Sequence, residues 1–431
     1  MSSPAPAVRN PWSWVPSSYL AEGIPFAMVI WVAGRMFKDL GHSDGEITLA
    51  TASIGIAWSL KPFWAAFLDM YKTKKFFVLL MEVLMTVLLA GIAICLPLPN
   101  YFQITIAILW VIAFASATQD ICVDGIYITS LDEKKQAAFI GVQGVFWNVG
   151  RLFGTGLIVG TAGWLKEDHS LSATAAWGWA IGVSGATLAI LAVYHWFILP
   201  TGSITRRPSG AAEITDTFKD TVVDFFKKES IWGMLIFVFL YRSSEGLLLL
   251  EGPLFLQASP ESGGVGLTLK EMGIIDGTIS TIVSLGAGLL GGAFMAKFGL
   301  NRKTLIFMAL CLNLPHITFV ILSQLAGPGH TLSLFTVGTL VTIEKFGYSF
   351  GFVANMLYMM QQISPGRYHM THYAFCTALM NLMLVPTQAI SGPLADHFGY
   401  KTYFILVMFA AIPSVAAACF APFPRKMVID K

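Results

Sequence analysis

Long apolar stretches, separated by short polar ones, run through the whole chain. Read with a window of about 19 residues, twelve stretches approach the roughly 20 residues that a helix needs to cross a bilayer. We therefore predict an all-α polytopic membrane protein. Its twelve transmembrane helices lie at about 14–38, 47–69, 76–98, 103–130, 136–163, 174–199, 231–257, 272–297, 303–325, 332–361, 369–393 and 402–422. Ten or eleven helices is the alternative, if a stretch broken by proline, such as 369–393, does not cross.

Lys and Arg lie mostly on one side of this arrangement. With both termini in the cytoplasm, eighteen of these residues fall in cytoplasmic segments. Four fall on the opposite side: Lys38, Lys166, Lys270 and Lys401. Because cytoplasmic loops of membrane proteins carry the excess of positive charge, we predict that both termini are cytoplasmic.

One long polar interruption, Thr201 to Glu229, divides the chain almost equally. This division predicts an N-terminal six-helix bundle over 1–200, a cytoplasmic linker over 201–230 and a C-terminal six-helix bundle over 231–431. Apolar residues recur at helical spacing in the linker: Ile214, Phe218, Val222, Phe225 and Phe226. They predict an amphipathic helix on the cytoplasmic face of the membrane. A partly disordered linker is the alternative.

The two halves repeat one another weakly and in the same orientation. Glu22-Gly23-Ile24-Pro25-Phe26 in the first span is echoed by Glu251-Gly252-Pro253-Leu254-Phe255 in the seventh. Short basic loops also follow the second and the eighth span, at 66–75 and 293–303. Two parallel six-helix halves with a substrate site between them resemble the architecture of the major facilitator superfamily. We therefore predict the major facilitator fold.

Composition excludes several other classes of protein. The chain is 55% hydrophobic and 12% charged, and its mean hydropathy is +0.67, values typical of a polytopic membrane protein and not of a soluble enzyme. The five cysteines lie in apolar stretches without paired spacing, and the eight histidines are scattered. We therefore expect no enzyme activity, no cofactor and no metal site. The net charge of +2 gives no indication of a nucleic-acid partner.

Charged residues inside the predicted spans are the main candidates for function. The acids are Glu22, Glu82, Asp120, Asp124, Glu245, Glu251, Asp276 and Glu344, and the bases are Lys61, Arg151, Arg242 and Lys345. A charge at bilayer depth is costly and marks ion or substrate routes. Because the acids outnumber the bases, some carboxyls have no counter-charge of their own. Such a carboxyl can accept a proton from one side of the membrane and release it to the other.

We predict proton-coupling roles for Asp120, Asp124, Glu22 and Glu245. Asp120 and Asp124 are four residues apart, so a helix places both on one face. Either aspartate can also be a partner for Arg151. The alternatives are a structural ion pair between the fourth and fifth spans and a helix-end charge near the cytoplasm. Glu22 and Glu245 each lie in the first span of their half, shortly after a tyrosine.

A second group of residues offers hydrogen bonds and ring faces to a solute. Arg151 and Arg242 can each bind a carboxylate or phosphate through two hydrogen bonds, and Trp147 can stack on a sugar ring. The predicted substrate-binding set also contains Asn148, Tyr19, Tyr241 and Gln119. Packing, or pairing with acids of the protein, is the alternative role for these residues.

Three further charged residues are predicted to form structural ion pairs: Lys61, Asp69 and Asp276. Lys61 directly precedes Pro62, and we expect it to hold the second span against a carboxylate of a neighbouring helix. We expect Glu82 and Glu251 to lie near the membrane interfaces.

Three motifs resemble the AmpG and acetyl-CoA transporter branch of the major facilitator superfamily. They are Tyr19-x-x-Glu22-Gly23-x-Pro25, Lys61-Pro62-x-Trp64 and Ser116-x-Thr118-Gln119-Asp120-x-x-x-Asp124. The resemblance implies a secondary active transporter of the inner, cytoplasmic membrane. AmpG-type permeases import anhydro-muropeptides, N-acetylglucosamine linked to anhydro-N-acetylmuramic acid, together with protons.

The resemblance implies transport by alternating access, and it suggests three classes of substrate, which we rank. Anhydro-muropeptides or related saccharides come first, and siderophores or another medium-sized organic solute come second. Acetyl-CoA exchange comes last, because a nucleotide thioester would need more basic residues than Arg151 and Arg242 in its cavity. We expect the partners to be this small-molecule substrate, protons and the lipid bilayer, with no nucleic acid, and we expect a monomer.

Overall fold

The computed structural model describes residues 9–424, except 62, 66–67, 69–71, 132, 203–210 and 367–368. Helices account for nearly all of this part of the chain. Its β-type pairing consists of one isolated bridge between Gly327 and His330. The all-α prediction is confirmed.

The helices have the following bounds. In the first half they are Val15–Ala27, Ala33–Asp39, Asp44–Thr51, Ile56–Ser59, Lys74–Cys95, Tyr101–Ser130, Glu133–Leu152, Val159–Glu167 and Ala173–Ile198. In the second half they are Ala211–Phe226, Ile231–Leu240, Ser243–Gln257, Leu269–Met272, Ser280–Phe298, Arg302–Asn313, Ile317–Leu325, Leu334–Tyr358 and His369–Phe420. Wider π-helical turns join several of them: Met28–Val32, Phe153–Ile158, Gly273–Ile279 and Met359–Ile363. Short 3-10 turns lie at Pro11–Ser13, Ala52–Gly55, Pro260–Ser262 and Leu314–His316.

Eight helical segments in the described part of the chain are long and apolar enough to cross a membrane. They are Pro11–Asp39, Lys74–Cys95, Tyr101–Ser130, Ala173–Ile198, Ile231–Gln257, Leu269–Phe298, Arg302–Leu325 and Phe375–Phe420. The last of them overlaps the predicted spans 369–393 and 402–422. The predicted spans 136–163 and 332–361 fall in helical stretches that do not meet the same criteria. The predicted span 47–69 starts in helical residues, and its residues 62, 66–67 and 69 lie outside the described part of the chain. The count of twelve stays a prediction.

Local sequence explains where several helices begin. Ser43, Thr73, Ser172 and Ser333 each accept a hydrogen bond from the backbone N–H three residues later. These caps satisfy N–H groups that have no partner inside the helix, and each is worth about 1 kcal/mol. The caps stand at polar positions just before apolar runs, so the helix starts are encoded locally.

The helix His369–Phe420 contains a sharp break at Gly399. The backbone of Gly399 has φ 71° and ψ 156°, a conformation that is not helical. Residues with a Cβ atom are strained at a positive φ of this kind, whereas glycine adopts it readily. Gly399 therefore separates the two predicted spans that this helix contains.

The described residues form two compact units. Unit 1 holds those of 1–32 and 60–210, and unit 2 holds those of 33–59 and 211–431. The boundary between the units passes through the apolar helical segment Pro11–Asp39, between Val32 and Ala33. The segment Ala33–Ser59 thus belongs to the same compact unit as the second half of the chain. The division into bundles 1–200 and 231–431 stays a prediction.

Each unit has its own apolar core. The core of unit 1 includes Trp14, Tyr19, Cys122 and Tyr127. The core of unit 2 contains a second, larger set of rings and aliphatic side chains, among them Phe225, Phe237, Tyr241, Tyr358 and Cys376. The buried cysteines pack as small apolar side chains.

The helix Ala211–Phe226 occupies the polar interruption between the two sets of spans. Near its end, Thr221 accepts a hydrogen bond from His372 Nε2 through its carbonyl oxygen (3.1 Å), and Phe225 is buried. Lys228 then donates to the carbonyl oxygens of Ile363, Ser364 and Pro365. The end of this helix is thereby fixed to unit 2.

Candidate functional site

Two glycines bring the first helix of unit 1 against the helix Glu133–Leu152. A Cβ atom on Gly150 would lie 2.6 Å from the carbonyl oxygen of Leu20, and one on Gly23 would collide with the carbonyl oxygen of Trp147. The two backbones therefore touch, which requires residues without side chains. Tyr19 and Glu22 on one helix thus come close to Trp147 and Arg151 on the other.

Acidic side chains collect beside this crossing. Tyr19 donates a hydrogen bond from its hydroxyl to Asp124 Oδ1 (2.8 Å), and Lys61 Nζ forms an ion pair with Asp120. The Glu22 carboxyl lies within electrostatic range of both aspartates and of Lys61. We call these five residues the unit 1 carboxylate cluster.

The unit 1 carboxylate cluster has a surplus of negative charge and is partly exposed at the surface of its unit. Three carboxyls face one ammonium, and Glu22 Oε1 accepts no hydrogen bond from the described residues. The side chains of Lys61 and Asp120 are 25% and 23% exposed, and Asp124 is more exposed still. Because charged side chains within spans face a bundle interior or a water-filled cavity, such a cluster can exchange protons with water.

Aromatic rings and a guanidinium lie next to the crossing. Phe26 packs against Trp31 and Trp147 with ring centroids 5.3 Å apart in both pairs. The Arg151 guanidinium lies 5.1 Å from the centre of the Trp31 ring, within the range of a cation–π contact. We call Phe26, Trp31, Trp147 and Arg151 the aromatic cluster. All four side chains are partly exposed.

Pro25 and two π-helical turns position the aromatic cluster. Pro25 has no N–H to donate within its helix, and the π-helical turn Met28–Val32 follows directly. This turn packs against the other π-helical turn, Phe153–Ile158, which directly follows the helix of Trp147 and Arg151. π-Helical turns are frequent at functional sites because they re-aim side chains. The sequence analysis did not identify Phe26 and Trp31 as candidate site residues. An aromatic residue in a binding site has the same sequence pattern as one that packs in the interior of a membrane protein.

Two amide side chains on the helix Glu133–Leu152 have different surroundings. Gln143 donates from Nε2 to the Tyr19 hydroxyl (2.6 Å), which links it to the unit 1 carboxylate cluster. Asn148 donates to the carbonyl oxygen of Gly144 in its own helix (2.8 Å). Asn148 therefore stands beside Trp147 in the sequence, while its amide N–H bonds to its own helix.

Gln119 lies in a separate, fully buried polar network of unit 1. Its Nε2 donates to Glu82 Oε1 (2.9 Å), and the same oxygen lies 2.7 Å from His195 Nδ1. His195 Nε2 in turn lies 3.0 Å from the Ser17 hydroxyl. Gln119, Glu82 and His195 have no exposed surface. The network links four helices, and Glu82 is interior to the unit although the sequence suggested the membrane interface.

In unit 2, Arg242 and Glu245 are partners of one another. Arg242 donates from Nε to Glu245 Oε2 (2.6 Å) and from Nη2 to Glu245 Oε1, so the pair is bidentate. The guanidinium also lies 4.8 Å from the centre of the Phe352 ring. Both side chains are more than nine-tenths buried. The residues predicted for substrate binding and proton coupling thus neutralise each other in this structure.

Tyr241 is fully buried in the core of unit 2. Its hydroxyl donates to the carbonyl oxygen of Gly351 (2.9 Å), and its own carbonyl oxygen accepts from the Ser414 hydroxyl (2.5 Å). Its counterpart Tyr19 instead donates to a carboxylate. The structure therefore gives the two tyrosines of the sequence repeat different partners.

Asp276 forms a buried ion pair with Arg35. Arg35 lies inside the first predicted span, but the intramembrane bases named from the sequence did not include it. Its backbone carbonyl accepts from Gln257 Nε2 (3.0 Å). Asp69, the third residue predicted in a structural ion pair, lies outside the described residues.

A second group of acids lies in unit 2. Asp44 accepts from Lys38 Nζ and from the Tyr400 hydroxyl, and its carboxyl lies within electrostatic range of that of Glu251. Asp396 lies nearby, where it accepts from the backbone N–H of Gly45 (2.8 Å). We call Lys38, Asp44, Glu251, Asp396 and Tyr400 the unit 2 carboxylate cluster. Glu251 has no exposed surface, although the sequence suggested a place near the membrane interface.

Metal binding has no visible basis in the part of the chain that the structure describes. It contains no group of three or more His, Cys, Asp or Glu side chains that could hold an ion. The acidic clusters are paired with lysines and tyrosines instead.

Comparison with known proteins gives consistent results. A family model described as Major Facilitator Superfamily matches residues 17–381. The putative transporter AmpG 4 of Rickettsia felis is 25% identical over 410 residues, covering 92% of each chain. The anhydromuropeptide permease of Escherichia coli K12 is 24% identical over 411 residues, covering 92% of this chain and 76% of that protein.

Solved structures show the same fold. The nucleoside transporter NupG superimposes with a TM-score of 0.72 at 14% identity, covering 96% of this chain and 99% of NupG. A D-xylose–proton symporter superimposes with a TM-score of 0.69 at 13% identity, covering 96% and 98%. The predicted major facilitator fold and the resemblance to AmpG-type transporters are both confirmed.

Proposed function

The chain belongs to the Major Facilitator Superfamily, and from that premise we propose that it imports peptidoglycan-derived anhydro-muropeptides or related saccharides together with protons. The transporter works by alternating access in the inner membrane, as a monomer with both termini in the cytoplasm. The unit 1 carboxylate cluster binds the coupling proton, and the aromatic cluster contacts the sugar.

The observation that carries the proposal is the charge surplus beside Glu22. Asp120 has Lys61 as its partner and Asp124 has the Tyr19 hydroxyl, whereas one oxygen of the buried Glu22 has no hydrogen-bond donor among the described residues. A buried charge without a partner is costly. One proton on this cluster reduces the repulsion, and water reaches the cluster through Asp124 and Asp120. The cluster can therefore load a proton on one side and release it on the other.

Substrate binding adjacent to the proton site is supported by the aromatic cluster. Flat rings such as Trp31 and Trp147 offer apolar faces to sugar rings. Arg151 carries a fixed positive charge that suits the carboxylates of a muropeptide. Because Gly23 and Gly150 hold the two helices together, a substrate on the rings lies close to Glu22 and Asp124. This proximity offers a physical route by which a proton affects substrate binding.

The identity of the solute is supported by similarity to named transporters. The Escherichia coli relative is called an anhydromuropeptide permease, and relatives in Rickettsia are called putative AmpG transporters. Each of these two relatives matches 92% of this chain. A sugar-sized ligand with carboxylates also fits an aromatic cluster that contains one arginine.

Uptake into proteoliposomes tests the proposal. We would measure entry of radiolabelled N-acetylglucosaminyl-anhydro-N-acetylmuramic acid with and without an inward proton gradient. We expect gradient-driven uptake by the unchanged protein and a loss of at least about tenfold in Asp120→Asn. Asp168→Asn is the matched control, because Asp168 is exposed in a loop of the same unit. An uptake rate that is the same with and without the proton gradient would contradict proton coupling.

A second pair of variants tests the binding site. Trp147→Ala should raise KM for the sugar, because it removes a ring from the aromatic cluster. Trp179→Ala should leave KM unchanged, since Trp179 is 68% exposed on the outside of the same unit. If the correctly folded protein takes up no muropeptide, this substrate is excluded, and siderophores or other saccharides become the candidates.

A further inference from the structure

Glu251 is a carboxyl that no described residue stabilises by donating a hydrogen bond. Both of its oxygens are buried and accept no hydrogen bond in the described part of the chain, and the residue has no exposed surface. Its neighbour Asp44 is 2% exposed. The two carboxyl groups lie within electrostatic range of each other. Two ionised carboxylates that interact in a buried environment of low dielectric constant repel each other strongly.

The titratable groups around Glu251 are all engaged elsewhere. Lys38 Nζ and the Tyr400 hydroxyl both donate to Asp44. The Tyr403 hydroxyl donates to the carbonyl oxygen of Leu247 (2.7 Å). Asp396, the other acid in range, accepts from a backbone N–H and adds negative charge.

Elements that pack against the helix of Glu251 bring further charges, and these are paired as well. Arg35, from the helix Ala33–Asp39, is bound to Asp276. Glu46, from the helix Asp44–Thr51, caps its own helix at Ser43. The surroundings of Glu251 therefore supply two hydroxyls and two cations, none of which is seen donating to its carboxyl.

We propose that Glu251 and Asp44 together bind one proton, carried by Glu251 and donated in a hydrogen bond to Asp44. The proton supplies the donor that this pair of carboxyls lacks. Lys38, Asp44 and protonated Glu251 then form a neutral group. Loss of the proton leaves one uncompensated negative charge between buried apolar side chains such as Leu254 and Phe255. This site lies in unit 2 and is independent of the transported solute.

The proton site has a direct consequence for the segment Ala33–Ser59. Asp44 begins a helix that packs against His369–Phe420, where the Gly392 N–H donates to the Thr48 hydroxyl (3.2 Å). The carbonyl group of Asp44 touches the position of a Cβ on Gly392, so the contact is close. Repulsion between ionised Glu251 and Asp44 displaces the first residue of this helix, and the carbonyl group of that residue forms the close contact with Gly392. Deprotonation should therefore loosen the segment from the helix that it packs on.

Infrared spectroscopy of the purified protein in lipid nanodiscs tests the site directly. Without any substrate, we expect a carboxylic-acid C=O band near neutral pH that Glu251→Gln lacks. Asp44→Asn should lack it too, because an asparagine amide can donate to Glu251 and make the proton unnecessary. Glu261→Gln, an exposed acid of the following loop, is the matched control and should keep the band. A spectrum unchanged in both cluster variants would overturn the proposal.

Thiol labelling tests whether deprotonation loosens the segment Ala33–Ser59, with a reporter cysteine placed outside the unit 2 carboxylate cluster. Thr48→Cys is placed in a background without other cysteines, because Thr48 has no exposed surface. We expect its labelling at alkaline pH to exceed that in Thr48→Cys/Glu251→Gln by at least about tenfold. Equal labelling in the two backgrounds at every pH would overturn the coupling of the proton to packing. Failure of muropeptide uptake would affect neither measurement.

Discussion

The two carboxylate clusters contain the same kinds of groups and differ in the exposure of the aspartate that a tyrosine hydroxyl binds. Each has a glutamate from a Glu-Gly motif, an aspartate that accepts from a tyrosine hydroxyl, and one lysine. In unit 1, Asp124 is exposed and Asp120 is 23% exposed. In unit 2, Asp44 and Glu251 are 2% and 0% exposed. The aspartate that a tyrosine hydroxyl binds is therefore exposed in unit 1 and buried in unit 2, where Asp396 is the exposed acid of the cluster.

This difference predicts different roles for similar chemistry. A partly exposed ion pair contributes at most about 1 kcal/mol to stability, because water and salt screen it. A buried pair that loses one partner costs about 3–5 kcal/mol, since an uncompensated charge remains. Changes in the unit 1 cluster should therefore affect transport, whereas changes in the unit 2 cluster should affect folding and packing.

The largest effect should come from separating the helices of unit 1. Gly150→Leu places a side chain against the Leu20 carbonyl oxygen and Gly23, where backbone cannot move aside. Overpacking usually costs about 1–3 kcal/mol, and a clash with backbone on both sides costs more. We expect no folded protein in size-exclusion chromatography. Gly144→Leu is the control on the same helix, because a Cβ there meets nothing within 4 Å.

Removal of the lysines compares the two clusters directly. Lys38→Met leaves Asp44 and Glu251 buried without a cation, and should lower the free energy of unfolding by about 3–5 kcal/mol. Lys61→Met should lower it by about 1 kcal/mol or less, because that pair is partly exposed. Thermal unfolding in detergent measures both. A larger loss of Tm in Lys61→Met would contradict the assignment of roles.

Removal of single hydroxyl groups should have a smaller effect of the same sign. Tyr400→Phe takes one donor from a buried carboxylate, which costs about 1.5–3 kcal/mol. Tyr19→Phe takes a donor from the exposed Asp124 and should leave Tm nearly unchanged. Its effect should be on the proton dependence of uptake instead. Equal Tm values for the two variants would remove the difference between the clusters.

The smallest effect concerns the cap of the helix that carries Asp44. Hydrogen bonds from the Ser43 backbone and the side chain of His42 lower the pKa of Glu46 below its usual value of 4.5. A lowered pKa in the folded state means that this stabilisation is present above pH 4.5 and is lost as pH falls through the folded value. Glu46→Gln should therefore reduce Tm slightly at neutral pH and not in strong acid. A reduction of the same size at both would exclude the charge as its cause.

Sequence repetition gave an incomplete guide to the sites. The echo between Glu22-Gly23 and Glu251-Gly252 matches two glutamates with different neighbours, since Glu22 neighbours Asp120 and Asp124 while Glu251 neighbours Asp44. Tyr19 and Tyr241 diverge further, since one donates to a carboxylate and the other to a backbone carbonyl. Equivalent places in a repeat thus share a helix position and not a partner.

Four residues show why parts of the candidate site could not be predicted from the sequence. Trp31 and Phe26 look like any other membrane aromatics, because only packing distinguishes a site ring from a core ring. His195 gave no signal either, since its partner Glu82 is 113 residues away. Arg35 stood in an apolar span without a visible counter-charge, and its partner Asp276 is 241 residues away.

The sequence by itself determined the helical class, the positions of most apolar segments and the presence of acids among them. These properties are local, because each residue prefers lipid, protein or water through its own chemistry and that of its near neighbours. Only the tertiary structure decided which acid meets which base, which carboxyl is left without a donor, and which aspartates are buried. Those properties depend on distances between helices far apart in the chain, and hydrogen bonds and ion pairs act only over a few ångströms.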